Sequence, residues 1–157
     1  LNVLSNAASI GVALVACIPM LMDTGGNSGT QSSVTVIRAL SLDELEMSDL
    51  ITVIWKEIRT AVLCGVTLSV LCFIKILVID MTLMHNTDIT VTVAFVVCLT
   101  MACTVLVAKT IGCILPFVAT KLGLDPAVMA SPFISTMVDA ASLLIYFGFA
   151  SLFIFGA

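Results

Sequence analysis

Four long apolar runs separated by polar segments dominate the hydropathy pattern of this chain. The runs cover residues of about 4–22, 58–79, 89–118 and 126–157. An α-helix crosses a bilayer core with about 20 predominantly apolar residues, and a longer run crosses it when the helix is tilted or kinked. The pattern therefore predicts an all-α fold, a polytopic transmembrane helix bundle in which residues 1–157 form a single transmembrane domain.

Three glycines follow the first apolar run, at Gly25, Gly26 and Gly29. Glycine allows backbone conformations that residues with a β-carbon avoid, so an unwound segment is expected here, with carbonyl groups turned toward an ion. A phosphate-binding loop is the alternative, but Thr30 occupies the position at which that motif needs lysine. A glycine-rich stretch alone is a weak signal for a ligand.

Residues 41–55, before the second run, place leucine and isoleucine among acidic residues. Ser41 and Glu44 are three residues apart, as in a capping box at the start of a helix. We therefore predict an amphipathic helix that begins at Ser41 and lies on the membrane surface as a connector.

The composition places the chain among membrane proteins. Hydrophobic residues make up 61 % of it, charged residues make up 10 %, and the mean hydropathy is +1.25. Soluble domains average about 45–50 % apolar and about 25 % charged residues. The sequence has no basic block that would bind nucleic acid. All six cysteines fall inside apolar runs without a CxxC motif, which favours packing between helices over disulfides or metal ligands.

Basic residues are distributed unevenly over the connections. Arg38, Lys56 and Arg59 lie between the first two runs and Lys121 follows the third, whereas residues 80–88 contain none. Cytoplasmic loops of membrane proteins are enriched in lysine and arginine. This rule predicts a multi-pass protein of the plasma membrane, with the first and third connections in the cytoplasm and the C-terminus outside. The N-terminal end of the chain then also lies outside, so one more helix is expected before it.

One acid, Asp139, lies in the middle of the fourth apolar run. A carboxylate at the bilayer centre costs about 2.5–3.5 kcal/mol, so such a residue faces water or a bound partner rather than lipid. Ser131, Ser135, Ser142 and Tyr146 recur around it at spacings of three and four, which places all five on one helix face. A polar stripe that contains a carboxylate favours the wall of a cation pore. Hydroxyl groups alone favour the alternative, a hydrogen-bonded seam between helices.

Other charged residues in or near the apolar runs have several interpretations. Arg59 and Lys75 lie near run ends and can extend to the headgroups. Lys109 lies deeper, and it either snorkels from a tilted helix or faces protein or water. His85 is expected to be solvated in its loop. Asp125 precedes a proline and is typical of a helix N-cap, with a peripheral metal site as the alternative.

Two motifs together resemble a known family. The run from Pro19 to Gln31 resembles the GGNxGxQ signature of the MgtE family of magnesium channels. The run from Leu122 to Val128, followed by Ser131-Pro132 and Asp139, is similar to the arrangement that leads into that family's last transmembrane helix. The resemblance covers nearly the whole chain and corresponds to transmembrane helices two to five. Ser142 departs from it, because the family often has glycine soon after the acid.

The resemblance implies a homodimer whose pore runs along the two-fold axis, between the helices of the first and fourth runs. It implies that Asp139 and its twin hold the magnesium ion, and Ser135, one turn away, is placed to orient water molecules of that ion. The residues expected to line the pore are Gly25, Gly26, Asn27, Gly29, Gln31, Ser131 and Ser142. Full-length members usually carry cytosolic regulatory domains, and none of these lies in this sequence.

These features together predict a channel or transporter that carries Mg²⁺ into the cytosol and has no enzymatic activity. Mg²⁺ is the expected bound and transported ion, with Mn²⁺ and Co²⁺ as further candidates, and the polar stripe has no cysteine or histidine for softer metals. The expected partners are a second copy of the chain, membrane lipid and the ion.

Two functions of other classes are the alternatives. An intramembrane aspartyl protease needs two converging acids, and Asp23 is the second candidate beside Asp139, but the sequence lacks a GxGD-like site. A non-conducting scaffold would use the polar stripe only to dimerise.

Overall fold

The computed structural model describes residues 2–83 and 89–156, and these residues form helices and short connections without a β-strand. Helix α1 spans Asn2–Ser41, α2 spans Leu50–Lys75, α3 spans Val91–Lys121 and α4 spans Pro126–Ala150. π-Helical segments continue α2 over Ile76–Leu83 and α4 over Ser151–Phe155, and a 3₁₀ turn at Met47–Asp49 precedes α2. His85 lies outside the described residues.

Four helical segments in the described residues are long and apolar enough to cross a membrane. They are Ile10–Ser41, Met47–Thr82, Val91–Lys121 and Pro132–Ile154. Their number and order confirm the prediction of a polytopic all-α bundle.

Helix α1 continues without a break through the glycine-rich segment, so the prediction of an unwound segment there is wrong. Among the described residues only Asp43 and Gly123 have a positive φ, at 54° and 70°. A glycine in a helix interior costs about 1 kcal/mol relative to alanine. Tertiary contacts outweigh this cost, because α1 packs its glycines against α3 and α4.

The closest of these contacts joins α1 and α3 at Gly29 and Gly112. A β-carbon on Gly112 would collide with the carbonyl oxygen of Gly29, and a β-carbon on Gly29 would lie 3.0 Å from the carbonyl oxygen of Ala108. Gly25, one turn earlier, leaves space in the same way, since a β-carbon there would come within 2.6 Å of Thr104 Cγ2. Small residues let membrane helices approach until their backbones touch.

The predicted amphipathic helix beginning at Ser41 is also wrong. Ser41 is the last residue of α1, and its hydroxyl donates to the carbonyl of Ile37 at 2.9 Å instead of capping a new helix. The chain turns at Asp43, and a capping box forms further on, where the amide of Glu46 donates to the Asp49 carboxylate at 2.9 Å.

The apolar residues of this stretch divide between two environments: Leu42, Ile51 and Trp55 are 56 %, 79 % and 64 % exposed, and others pack inward. Leu45, Leu50, Val53 and Ile54 lie against a buried cluster that consists of Val36, Cys113 and Phe117. Contact with α1 and α3 therefore accounts for part of the apolar positions in residues 41–55, and the exposed ones remain available to lipid. Hydropathy alone does not distinguish this contact from contact with lipid.

Helix α3 lies at the centre and contacts α1, α2 and α4, while α4 also contacts α1. Helices α1 and α3 run parallel, and α2 and α4 run antiparallel to them. Residues 42–49 and 122–125 connect helices at the same end of the bundle, which we call the connector end.

Alanine at position 112 is expected to lower the stability of the bundle. The added methyl group would meet the backbone of α1, and overpacking of this kind typically costs about 1–3 kcal/mol. Thermal unfolding of the purified protein in detergent measures the change. Gly148→Ala is the matched control, because nothing lies within 4 Å of a β-carbon there. Equal unfolding temperatures for the two variants would contradict the proposed tight contact.

Candidate functional site

An open cleft of about 320 Å³ lies between α1 and α4 and is lined mainly by polar side chains. Its lining residues are Met22, Asp23, Gly26, Asn27, Thr30, Ser135 and Asp139. Two carboxylates, one amide and two hydroxyl groups make it suited to a cation that prefers oxygen ligands.

Helix α4 presents Ser135 and Asp139 to the cleft because they lie one turn apart on the same helix face. Ile134 and Val138, next to them in sequence, are 0 % and 1 % exposed and pack with Ala108 of α3. Core packing therefore fixes the rotation of α4 and keeps Asp139 on the open side. Asp139 is half-buried, and neither of the two ion pairs found in the described part of the chain includes it.

Helix α1 presents Asp23, Gly26, Asn27 and Thr30, which are spaced as i, i+3, i+4 and i+7 on one face. The helix is unbroken here, so side chains form this wall while the carbonyl groups stay in the helical hydrogen-bond ladder. Gly26 contributes space, because a β-carbon there would lie 3.9 Å from Ser135 Oγ.

Two polar residues of the cleft, Asp23 and Thr30, are absent from the predicted ligand and pore residues. The signal that identifies them is their helical spacing with Asn27. That spacing has structural meaning only if the glycine-rich segment is helical, and the expected unwound backbone concealed it. The cleft does bring together Gly26, Asn27, Ser135 and Asp139 from the predicted set.

Three other predicted pore residues lie in the helix contacts. Gly25 and Gly29 are buried against α3 and α4. Ser142 is 2 % exposed, and its hydroxyl donates to the carbonyl of Val138 at 2.6 Å. These residues determine how closely α1, α3 and α4 approach one another, and they are not part of the cleft lining.

The remaining predicted residues lie elsewhere. Gln31 is exposed on α1 and is not a lining residue of the cleft. The side chain of Ser131 lies outside the described residues. Asp125 is about 20 Å from Asp139 along α4 at helical rise, and its Oδ1 accepts a hydrogen bond from the Ala127 amide at 2.9 Å. Within residues 2–83 and 89–156, no group of three or more His, Cys, Asp and Glu residues could hold a metal ion.

Comparisons with known proteins agree with the chemistry of the cleft. The model of the MgtE family, described as a divalent cation transporter, matches residues 18–149. The chain is 37 % identical over 143 residues to the magnesium transporter MgtE of Bacillus subtilis. It is 36 % and 34 % identical over 140 residues to the magnesium transporters MgtE of Thermus thermophilus and Enterococcus faecalis. These matches cover 91 %, 89 % and 89 % of the chain but 30 %, 29 % and 29 % of the relatives, so the chain spans less than a third of their length.

Two substitutions of Asp125 separate its capping role from metal binding. Asp125→Ala removes the cap and is expected to cost about 0.5–2 kcal/mol, whereas Asp125→Ser keeps a capping oxygen and is expected to retain the stability. Thermal unfolding in detergent, with and without Mg²⁺, measures both effects. A loss of Mg²⁺-dependent stabilisation in Asp125→Ser would instead support a peripheral metal site at this residue.

Proposed function

Because the chain belongs to the MgtE family of divalent cation transporters, we propose that it carries Mg²⁺ across the membrane into the cytosol. The observation that supports this proposal best is the cleft between α1 and α4, in which Asp23 and Asp139 face one space. In this proposal the two carboxylates bind the ion, and Ser135 and Asn27 orient its water molecules.

The size and the donors of the cleft suit a hydrated ion. Mg²⁺ prefers octahedral oxygen coordination at about 2.0–2.1 Å and gives up its water molecules reluctantly. Six water molecules occupy about 180 Å³ at about 30 Å³ each, which is less than the 320 Å³ of the cleft. The cleft therefore has room for a hydrated ion, and in this proposal the carboxylates contact Mg²⁺ through its first hydration shell. Mn²⁺ and Co²⁺ also accept oxygen ligands and belong to the proposed range of ions.

A second copy of the chain is proposed to close the open side of the cleft. A carboxylate facing lipid costs about 2.5–3.5 kcal/mol at the centre of a helix. A symmetric second copy would cover Asp139 and would place its own Asp139 carboxylate opposite. Facing carboxylates attract a dication twice as strongly as a monovalent ion at the same distance, because the Coulomb energy is proportional to charge. Gly26 and Asn27 line the pore of this homodimer beside the acids.

Basic residues orient the proposed channel. Arg38, Lys56 and Lys121 lie at the connector end, and positive charge is typical of the cytoplasmic side. The connector end therefore faces the cytosol, and the C-terminus lies outside the plasma membrane. A potential of about 100 mV, negative inside, favours inward movement of a dication by about 4.6 kcal/mol. Membrane lipid is the proposed partner of outward apolar side chains such as Leu63 and Leu144, which are 71 % and 76 % exposed.

Membership in a transport family confirms the prediction that the chain is not an enzyme. Asp23 and Asp139 line one cleft, as the catalytic acids of an intramembrane aspartyl protease would. The similar curated proteins, however, are named magnesium transporters, so the shared cleft is assigned to an ion.

Asp139→Asn tests the main role directly. Interactions with a charged group contribute about 1.5–3 kcal/mol, so removing this charge is expected to lower Mg²⁺ uptake at least about tenfold. Uptake is measured with an Mg²⁺ indicator enclosed in vesicles that contain the complete gene product. Asp43→Asn is the control, because Asp43 is exposed in a turn and asparagine also tolerates its positive φ. Undiminished uptake in Asp139→Asn would refute the assigned role, and dimers without uptake by the unaltered protein would favour the scaffold function.

Asp23→Asn tests the second carboxylate of the cleft. We expect a higher half-saturating Mg²⁺ concentration and weaker discrimination against K⁺, because each chain then supplies one charge instead of two. Asp23→Glu keeps the charge and is expected to retain most of the discrimination. Measurements of Mg²⁺ and K⁺ flux in the same vesicles compare the variants. Identical selectivity in Asp23→Asn and the unaltered protein would exclude Asp23 from the ion path.

A further inference from the structure

Lys109 and Glu57 form an ion pair inside the bundle, between segments apolar enough to cross a membrane. Lys109 Nζ lies 3.3 Å from Glu57 Oε2, and the two side chains are only 10 % and 14 % exposed. Of the two interpretations that the sequence leaves open, Lys109 therefore faces protein and does not snorkel to the membrane surface.

Ser32 of α1 completes this network. Its hydroxyl donates to Glu57 Oε2 at 2.7 Å and accepts a hydrogen bond from Lys109 Nζ at 3.1 Å. Ser32 is 2 % exposed, so water does not replace these contacts. The three residues, called the Lys109 triad below, tie α1, α2 and α3 together at one point.

The triad lies next to the closest helix contact. Ser32 follows Gly29 by three residues on α1, and Lys109 precedes Gly112 by three residues on α3, which is one helical turn in each case. The glycines allow the two backbones to touch, but a contact between glycines does not by itself specify the axial position of one helix relative to the other. The triad adds a directional contact that only one register of α1 on α3 satisfies.

This register also determines the geometry of the cleft. The α1 residues Asp23, Asn27 and Thr30 face the cleft from one side, and α4 supplies Asp139 from the other. A slip of α1 by one turn would move its wall by about 5.4 Å. Such a displacement would break the contacts of the α1 side chains to the hydrated ion, because hydrogen bonds to its water molecules need O···O distances of about 2.5–3.0 Å.

Stability alone is a poor explanation for the triad. Burying an ion pair carries a desolvation cost, and well-packed apolar residues are often as stabilising or more so. The best-attested use of a buried polar contact is to specify register. We propose that the Lys109 triad is a positioning element that sets the register of α1 and thereby the affinity of the ion cleft, an inference that rests on the proposed function.

An electrostatic effect on the ion is the main competing explanation, and it makes opposite predictions for the two charges. Lys109→Met leaves Glu57 unpaired, and the extra negative charge would lower the half-saturating Mg²⁺ concentration. Glu57→Gln leaves Lys109 unpaired, and the extra positive charge would raise it. Loss of register raises the concentration in both variants.

The sharpest test uses Ser32→Ala, which removes the link to α1 without changing any charge. We expect its half-saturating Mg²⁺ concentration for vesicle uptake to rise by about threefold or more, since both hydrogen bonds of Ser32 are lost and even one contributes about 0.5–1.5 kcal/mol net. Ser28→Ala is the matched control: Ser28 is also buried on α1, but its hydroxyl donates only to the Thr24 carbonyl of the same helix, at 2.8 Å. Ser28→Ala is expected to match the unaltered protein.

The ion-pair variants extend the test. Lys109→Met and Glu57→Gln are each expected to raise the half-saturating concentration at least about tenfold, because contacts to charged groups are lost. The double variant Glu57→Lys, Lys109→Glu exchanges the two charges and keeps both contacts to Ser32. Its half-saturating Mg²⁺ concentration is expected to lie within about threefold of that of the unaltered protein. Lys75→Met and Asp80→Asn break the 2.7 Å pair between the end of α2 and its π-helical continuation, in which Lys75 is 46 % exposed, and serve as controls for charge changes.

Each outcome of these experiments is decisive. Equal half-saturating concentrations in Ser32→Ala and Ser28→Ala, or shifts of opposite sign in Lys109→Met and Glu57→Gln, would overturn the positioning role. Gel filtration in detergent identifies the variants that fold. Ser32→Ala is sufficient for the test even if the variants of Lys109 and Glu57 do not fold. Absence of uptake by the unaltered protein would overturn the proposed function itself, whereas uptake unaffected by Ser32→Ala would overturn the positioning role alone.

Discussion

Close packing of α1, with its backbone against α3 and its glycines against side chains of α4, is the constraint on which the rest of the bundle depends. Gly25 and Gly29 bring α1 against α3 and α4, and Gly112 completes the contact from α3. Because the faces of a helix are fixed relative to each other, this orientation turns Asp23 and Asn27 toward the cleft. Tight packing on one side of α1 and the proposed ion cleft on the other are thus consequences of a single rotation of this helix.

Hydropathy was sufficient to predict the number and order of the membrane helices. The cost of a carboxylate in the membrane drew attention to Asp139, which lines the cleft. Both arguments use the bilayer as a solvent and need no knowledge of neighbours. The same approach ended the first span near Met22, although α1 continues to Ser41. Glycine, serine and threonine are weak helix formers on their own, and their packing partners on α3 and α4 are distant in sequence.

Three features could be interpreted only from the three-dimensional structure: Asp23, Lys109 and the connection before α2. Asp23 becomes a residue of the cleft only when α1 is helical through its glycines. Lys109 kept two interpretations because its partner Glu57 is 52 residues away, and long-range pairing leaves no local signal. Of the apolar positions between residues 41 and 55, Leu45, Leu50 and Ile54 face protein while Ile51 and Trp55 are exposed. Hydropathy does not separate these two groups, since a helix facing protein and a helix facing lipid share one pattern.

The length of α1 has a mechanical consequence. Its 40 residues extend about 60 Å, roughly twice the 30 Å thickness of a hydrocarbon core. The only proline in α1, Pro19, precedes the cleft, and the helix is continuous from Asp23 to Ser41. A continuous helix transmits a displacement along its axis through its hydrogen-bonded backbone. A displacement or rotation of α1 at its connector end is therefore expected to move Asp23 as well.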